Sequence, residues 1–104
     1  MERRETQCQS PEVTYTWDAR KASANLRKHG VSFEEAATVF LDPAAWTFYD
    51  PDHSESEHRF ITIGFSANQR LLFVAHADQD EETVRIISAR KATAREEKDY
   101  AKIR

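Results

Sequence analysis

Residues 15–43 read YTWDARKASANLRKHGVSFEEAATVFLDP, a run that encodes two helices with a hard stop between them. Asp18 stands where an N-cap is wanted. Ala22, Leu26 and His29 recur at i, i+4 and i+7, which lines one face of a helix over 19–29. Gly30 follows at once, a residue that takes the left-handed conformation at a helix stop without a Cβ penalty, and Val31 is placed for the apolar contact that accompanies such a stop. Ser32 opens the next helix with an S-x-x-E box to Glu35, in which hydroxyl and carboxylate each satisfy a backbone N–H. Phe33, Ala36, Ala37 and Phe40 form its apolar stripe over 33–41. Asp42-Pro43 ends it, because the residue before proline avoids helical dihedrals.

Past Pro43 the period changes from 3.6 to 2. Ala44 to Tyr49 has the aromatic and β-branched composition of a strand, and His58 to Ser66, Arg70 to Ala77 and Thr83 to Arg90 follow as three more. Short connections, including the acidic turn Asp78 to Glu82, make neighbours antiparallel. A second box, Thr93-Ala94-Arg95-Glu96, starts a C-terminal helix at Ala94. The order is ααββββα, an α+β architecture: a four-stranded antiparallel sheet with its helices on one face. Residues 1–14 are polar, contain Pro11 and lack periodicity, so they read as a flexible leader to a single domain over 15–104.

Composition bounds the function. A chain of 104 residues, 39% hydrophobic and 11% aromatic, has room for one modest core. No apolar run approaches the roughly 18 residues that span a bilayer, and no apolar signal core follows the first charges, so the expected location is the cytoplasm. Cys8 is alone, which excludes an internal disulfide and a cysteine zinc site. The net charge is −3, but it is segregated. Arg20, Lys21, Arg27 and Lys28 face one acid between Asp18 and Gly30, and seven basic residues face three acids from Arg85 onward. Such a chain can turn a basic face to phosphate despite a negative sum, or it can carry two solvated helix surfaces.

Several chemistries are excluded by residue type. With only Gly30 and Gly64, there is no glycine-rich phosphate loop, and H-E-x-x-H, C-x-x-C and G-x-S-x-G are all missing. His53 and His58, among Asp50, Asp52, Glu55 and Glu57, lie in a loop with no spacing that would converge them, so no metal or other cofactor is expected. Basic chemistry remains. Lys21, Asn25 and Lys28 share a helix face at i, i+4 and i+7. Arg85, Arg90 and Lys91 stand on the last strand and its exit. Arg85 and Arg90 have opposite parity, so they share a side only if the strand bulges or ends before Arg90.

The opening run, the D-x-x-H…E-H-R-F-x-x-x-G segment (50–64) and VRIISARKATAREEKDY (84–100) resemble the BrnT family, and the likeness covers roughly residues 15–100. The resemblance implies a RelE-like fold and a ribonuclease that arrests growth as the toxin of a type II toxin–antitoxin pair. It also implies neutralisation by a BrnA-type antitoxin, as a heterotetramer built on an antitoxin dimer that alone contacts operator DNA. The positions matching the family's motif are Trp17, Lys28, His29, Arg59, Arg85, Arg90 and Lys91. Residues 1–14 and the acidic turn depart from the pattern.

Without a metal, RNA is cut by its own 2′-hydroxyl. The expected roles are phosphorane stabilisation by Arg85 and Arg90, whose forks hold two phosphate oxygens at once, and RNA binding by Lys21, Arg59 and Lys91. His29 or His76 suits acid–base work, and Lys28 is a second choice of base. His29 is equally suited to capping its helix dipole, and Trp17 either stacks on a base or anchors the helical hairpin in the core. The competing function is a non-catalytic nucleic-acid- or antitoxin-binding module acting in operon autoregulation.

Overall fold

A computed structural model describes residues 13–53 and 57–103. The elements run β1 (Thr14–Thr16), α1 (Ala19–His29), α2 (Phe33–Thr38) with a 3-10 turn at Val39–Leu41, β2 (Trp46–Tyr49), β3 (Arg59–Phe65), β4 (Leu71–Asp80), β5 (Thr83–Lys91) and α3 (Ala94–Ile103). The fold is α+β, but its sheet has five strands and is mixed, in the order β1-β5-β4-β3-β2. The expected four antiparallel strands are all there. A fifth, β1, precedes the two helices and pairs parallel with the start of β5. Three residues are too few for alternation to register, so Thr14 reads as leader until its partner is known. Residues 1–12 of the expected leader lie outside the described residues.

Leu26 of the expected α1 stripe is instead 51% exposed. α2 stops at Thr38, with a 3-10 turn over the rest of the expected 33–41. The cap and stop signals act as read, with one exception. Asp18 accepts from the N–H groups of Arg20 and Lys21. Gly30 closes α1 at φ 70°, donating to the Leu26 carbonyl. Ser32 caps α2 by accepting from the Glu35 N–H at 3.0 Å. Glu35 does not return the bond: its carboxylate takes Arg70 and the Ser66 hydroxyl, and Arg70 also donates to the Gly30 carbonyl. One ion pair thus clamps the helical hairpin to the β3–β4 turn, and the Arg70 guanidinium holds the Glu35 carboxyl below its ordinary range. The second box is reciprocal, with Thr93 and Glu96 each serving the other's N–H. In the acidic turn β4 runs on to Asp80, so the hairpin reverses at Glu81-Glu82.

Helices cover both faces of the sheet, not one. Val31, Phe33, Ala36 and Val39 pack on Leu72, Val74, Ile86 and Ala89, burying one face under α1 and α2. On the other face Tyr100 of α3 packs with Ile63 and Leu71, and its hydroxyl donates to the Ala44 carbonyl. An amphipathic pattern tells a helix which stripe to bury, not which side of the sheet receives it. Among the described residues no helix is long and apolar enough to cross a membrane.

Candidate active site

Strict alternation puts Arg85 and Arg90 on opposite faces of β5, and the structure removes the conflict with a bulge. Ser88 faces Ala75 and Ile86 faces His76, so Ile87 is the extra residue between them. Arg90 then pairs with Phe73, Ser88 with Ala75 and Arg85 with Ala77. These partners are odd-numbered neighbours on one strand, so both arginines and Ser88 share the α3 face. Arg59 joins them, because it faces Ala77 from β3. Arg59, Ala77 and Arg85 therefore form a row across three strands. Arg90 stands four residues of β4 away, about 13 Å along the strand.

Each end of this arrangement carries a carboxylate. Glu57 bridges the row, accepting from Arg85 and lying 3.5 Å from Arg59. Its carboxyl is held below the ordinary range, chiefly by the bond from Arg85. At the other end Arg90 donates from Nη1 and Nη2 to the two oxygens of Glu96 at 2.9 and 3.0 Å, with its guanidinium carbon 4.4 Å from the centre of the Phe73 ring. That paired contact pushes the Glu96 carboxyl down to about 2. Sequence reasoning picks out neither acid as the partner of an arginine. Glu57 was visible in the E-H-R-F string and Glu96 in the capping box, but nothing local says that either reaches an arginine.

A second group of basic residues meets this face at the edge of β5. Lys21, Lys28, His29, Ile87 and Ser88 line a shallow cleft of about 220 Å3 together with Ala24 and Asn25. Ser88 belongs to both surfaces, so basic groups from α1 and arginines from the sheet flank one strand. Lys91 is exposed at the end of β5. Asn25, which periodicity groups with Lys21 and Lys28, is buried and bonded to backbone.

The remaining candidates lie elsewhere. His76 is 2% exposed on the opposite face of the sheet, between Phe40 and Phe60. Its Nε2 is 2.8 Å from the Thr62 hydroxyl, which continues to Thr47, and its Nδ1 is 2.8 Å from Asp78. Burial pushes the imidazole below its ordinary pKa. Trp17 packs edge-on against Phe33 and joins the helix-side core.

The model of a family described as "Ribonuclease toxin, BrnT, of type II toxin-antitoxin system" matches residues 17–96. The chain belongs to the BrnT family. The match takes in α1, every strand but β1, and the start of α3, and so contains both arginines and both of their acids. The fold is similar to that of the 1.1 Å crystal structure of the Brucella abortus ribonuclease toxin BrnT, with a TM-score of 0.60 and 23% identity, over 78% of this chain and 97% of that one. At this identity the likeness is one of fold. A comparison with curated proteins gives no match.

Proposed function

We propose that this BrnT chain cuts RNA through the RNA's own 2′-hydroxyl, on the α3 face of the sheet, with guanidinium groups in place of a metal ion. The observation that carries this reading is the bulge at Ile87, which turns Arg85 and Arg90 to one side and sets Arg59 across from Arg85. Arg85 binds the scissile phosphate and stabilises the extra charge of the phosphorane, for which a fixed, permanently charged fork is suited. The separation of about 13 Å along the strand supports a role for Arg90 at another phosphate of the same RNA. Lys21, Lys28, His29 and Lys91 hold the flanking strand around the β5 edge. In the free protein Glu57 and Glu96 occupy the forks of Arg85 and Arg90; phosphate oxygens take over those donors, and Glu57 keeps its contact with Arg59.

The family's toxin–antitoxin membership supports a protein partner, a BrnA-type antitoxin, joined as a heterotetramer through an antitoxin dimer that makes the operator contacts. Trp46, Phe48 and Tyr49 are exposed on β2, an edge strand, which is the kind of surface a partner covers. Co-expression with the product of the adjacent reading frame should yield one complex in size-exclusion chromatography, and separate elution at micromolar concentration would count against it.

Purified chain incubated with RNA, with and without EDTA, tests the activity. Cleavage that survives chelation and leaves 2′,3′-cyclic phosphate ends is the expected result. The second reading, a binding module, draws on Arg90 already donating from both Nη1 and Nη2 to Glu96. It predicts salt-sensitive RNA binding without a cut.

A further inference from the structure

Cleavage by the 2′-hydroxyl needs a group that removes its proton beside the cation that holds the phosphate. His76 lies behind the sheet, and Lys28 and His29 line the cleft on the far side of Ser88. The row Arg59–Ala77–Arg85 contains a different acceptor. Ala77 carries only a methyl group, so the space above it, between two long cationic side chains, is open to a third residue. Glu57, two residues before Arg59, contacts both arginines that flank it. Both of its arginine contacts fall on Oε1, and Oε2 takes part in neither. Its side chain is 31% exposed and that of Arg85 27%, so RNA can reach both.

We infer that Glu57 is the general base of this site, taking the 2′-hydroxyl proton of an RNA whose phosphate rests on Arg85. The inference depends on the ribonuclease reading above. In the step, the 2′-O–H bond breaks and its proton passes to Glu57 Oε2. The 2′-oxygen bonds to phosphorus, and the P–O5′ bond breaks. The leaving oxygen takes a proton from water, and the hydroxide so formed recovers the proton held by Glu57. The products are a 2′,3′-cyclic phosphate and a 5′-hydroxyl end.

The surrounding charges favour this sequence. With no RNA bound, Arg85 is the main cause of the depressed proton affinity of Glu57. A phosphate that takes over the donors of Arg85 removes that cause, so the carboxylate becomes more basic as the hydroxyl arrives. Arg59 stays to orient it.

The test uses native chain, Glu57→Gln and Glu57→Asp, with a mixed-sequence RNA oligonucleotide for cleavage and its 2′-deoxy counterpart for binding. Single-turnover cleavage by Glu57→Gln should fall about 10²–10³-fold, within the range of a lost general base. Binding of the deoxy oligonucleotide should be unchanged or tighter, because a negative charge has left the site. The acid limb of the pH–rate profile should vanish in Glu57→Gln and survive in Glu57→Asp. A Gln variant that cuts as fast as native chain, or faster, overturns the inference: Glu57 would then be a clasp that RNA must displace. A rate that falls only in proportion to binding also overturns it. Native chain that leaves RNA intact with and without EDTA overturns the ribonuclease reading and this one together, whereas active native chain beside an active Gln variant overturns this one alone.

Discussion

Asn25 and Ala89 are 64 residues apart and joined by a pair of hydrogen bonds: Asn25 Nδ2 donates to the Ala89 carbonyl at 2.8 Å, and the Ala89 N–H donates to Oδ1 at 3.1 Å. A second donation from Nδ2 reaches the Val31 carbonyl. The reason is topological. β1 accompanies β5 only as far as Arg85, so among the described residues the rest of that strand edge has no neighbouring strand. One amide side chain of α1 replaces it, just past the bulge that aligns the arginines.

Asn25→Ala should therefore be costly for stability. It strands a buried N–H and two carbonyls, each worth about 1–3 kcal/mol when unsatisfied, with relaxation and water recovering part. A net loss of about 3 kcal/mol corresponds to a melting temperature lower by roughly 10–20 °C for a domain of this size. Asn25→Asp should be worse, because it sets a carboxylate against two carbonyl oxygens. Thermal melts decide, and an Ala variant that melts with native chain would show that water closes the edge unaided.

Gly64 owes its identity to crowding. A Cβ there would stand 2.9 Å from the Ala45 Cβ, 3.0 Å from Val39 and 3.2 Å from Asp42. None of these is the tip of a flexible chain, and Asp42 is fixed by bonds from the Ala44 and Phe65 N–H groups. Gly64→Ala should cost about 1–3 kcal/mol, the range for overpacking a filled core. A denaturant titration measures it, and an unchanged midpoint would mean the β2 approach yields freely.

How far the sequence is legible follows from the range of each signal. The α1 stop at Gly30 and the caps at Asp18 and Ser32 are local, and they stand where local chemistry puts them. β1 is invisible because its only warrant is a parallel partner nearly 70 residues on. The site divides the same way. Arg85 and Arg90 are recognisable as residue types, but their common side depends on a bulge defined by the register against β4. Glu57 and Glu96 are plain surface acids until strand pairing brings the guanidiniums to them. Glu35 completes a capping box on paper and leaves it for Arg70, because the β3–β4 turn folds back within reach.

Acid should unfold the protein in two stages. Burial lowers the His76 pKa from its ordinary 6.5, so below that pH the unfolded chain binds a proton that the folded chain resists. Stability is full above the unfolded value and declines as pH falls toward the folded one. Glu35 and Glu96 are also depressed, Glu96 to about 2, by their arginines. Their contribution is present above the ordinary 4.5 and lost as pH drops through the folded values. Melts from pH 8 to 2 should show a first decline beginning near pH 6.5 and a steeper one below 4.5. His76→Gln should flatten the first limb, and Glu96→Gln should weaken the second. A native chain equally stable at pH 7 and 5 would contradict the burial of a neutral His76.

The two arginines should part company when each is replaced. Arg85 holds a carboxylate at a partly exposed position, where an ion pair contributes little to stability. Arg85→Ala should thus melt close to native chain while losing about 10²–10³ in cleavage rate, as expected on removing one preorganised anion donor. Arg90 is tied into structure as well: its fork holds Glu96, which caps α3, and its plane lies over Phe73. Arg90→Ala frees a carboxylate and bares an aromatic ring, so it should lower the melting temperature measurably and cut activity by less than Arg85→Ala. Lysine should rescue neither well, since a point charge cannot reproduce a bidentate fork. Melts and cleavage rates on the same four variants separate the roles. Equal rate losses with equal melts would place both arginines at one phosphorus, and full activity in Arg85→Ala would remove the scissile phosphate from this face altogether.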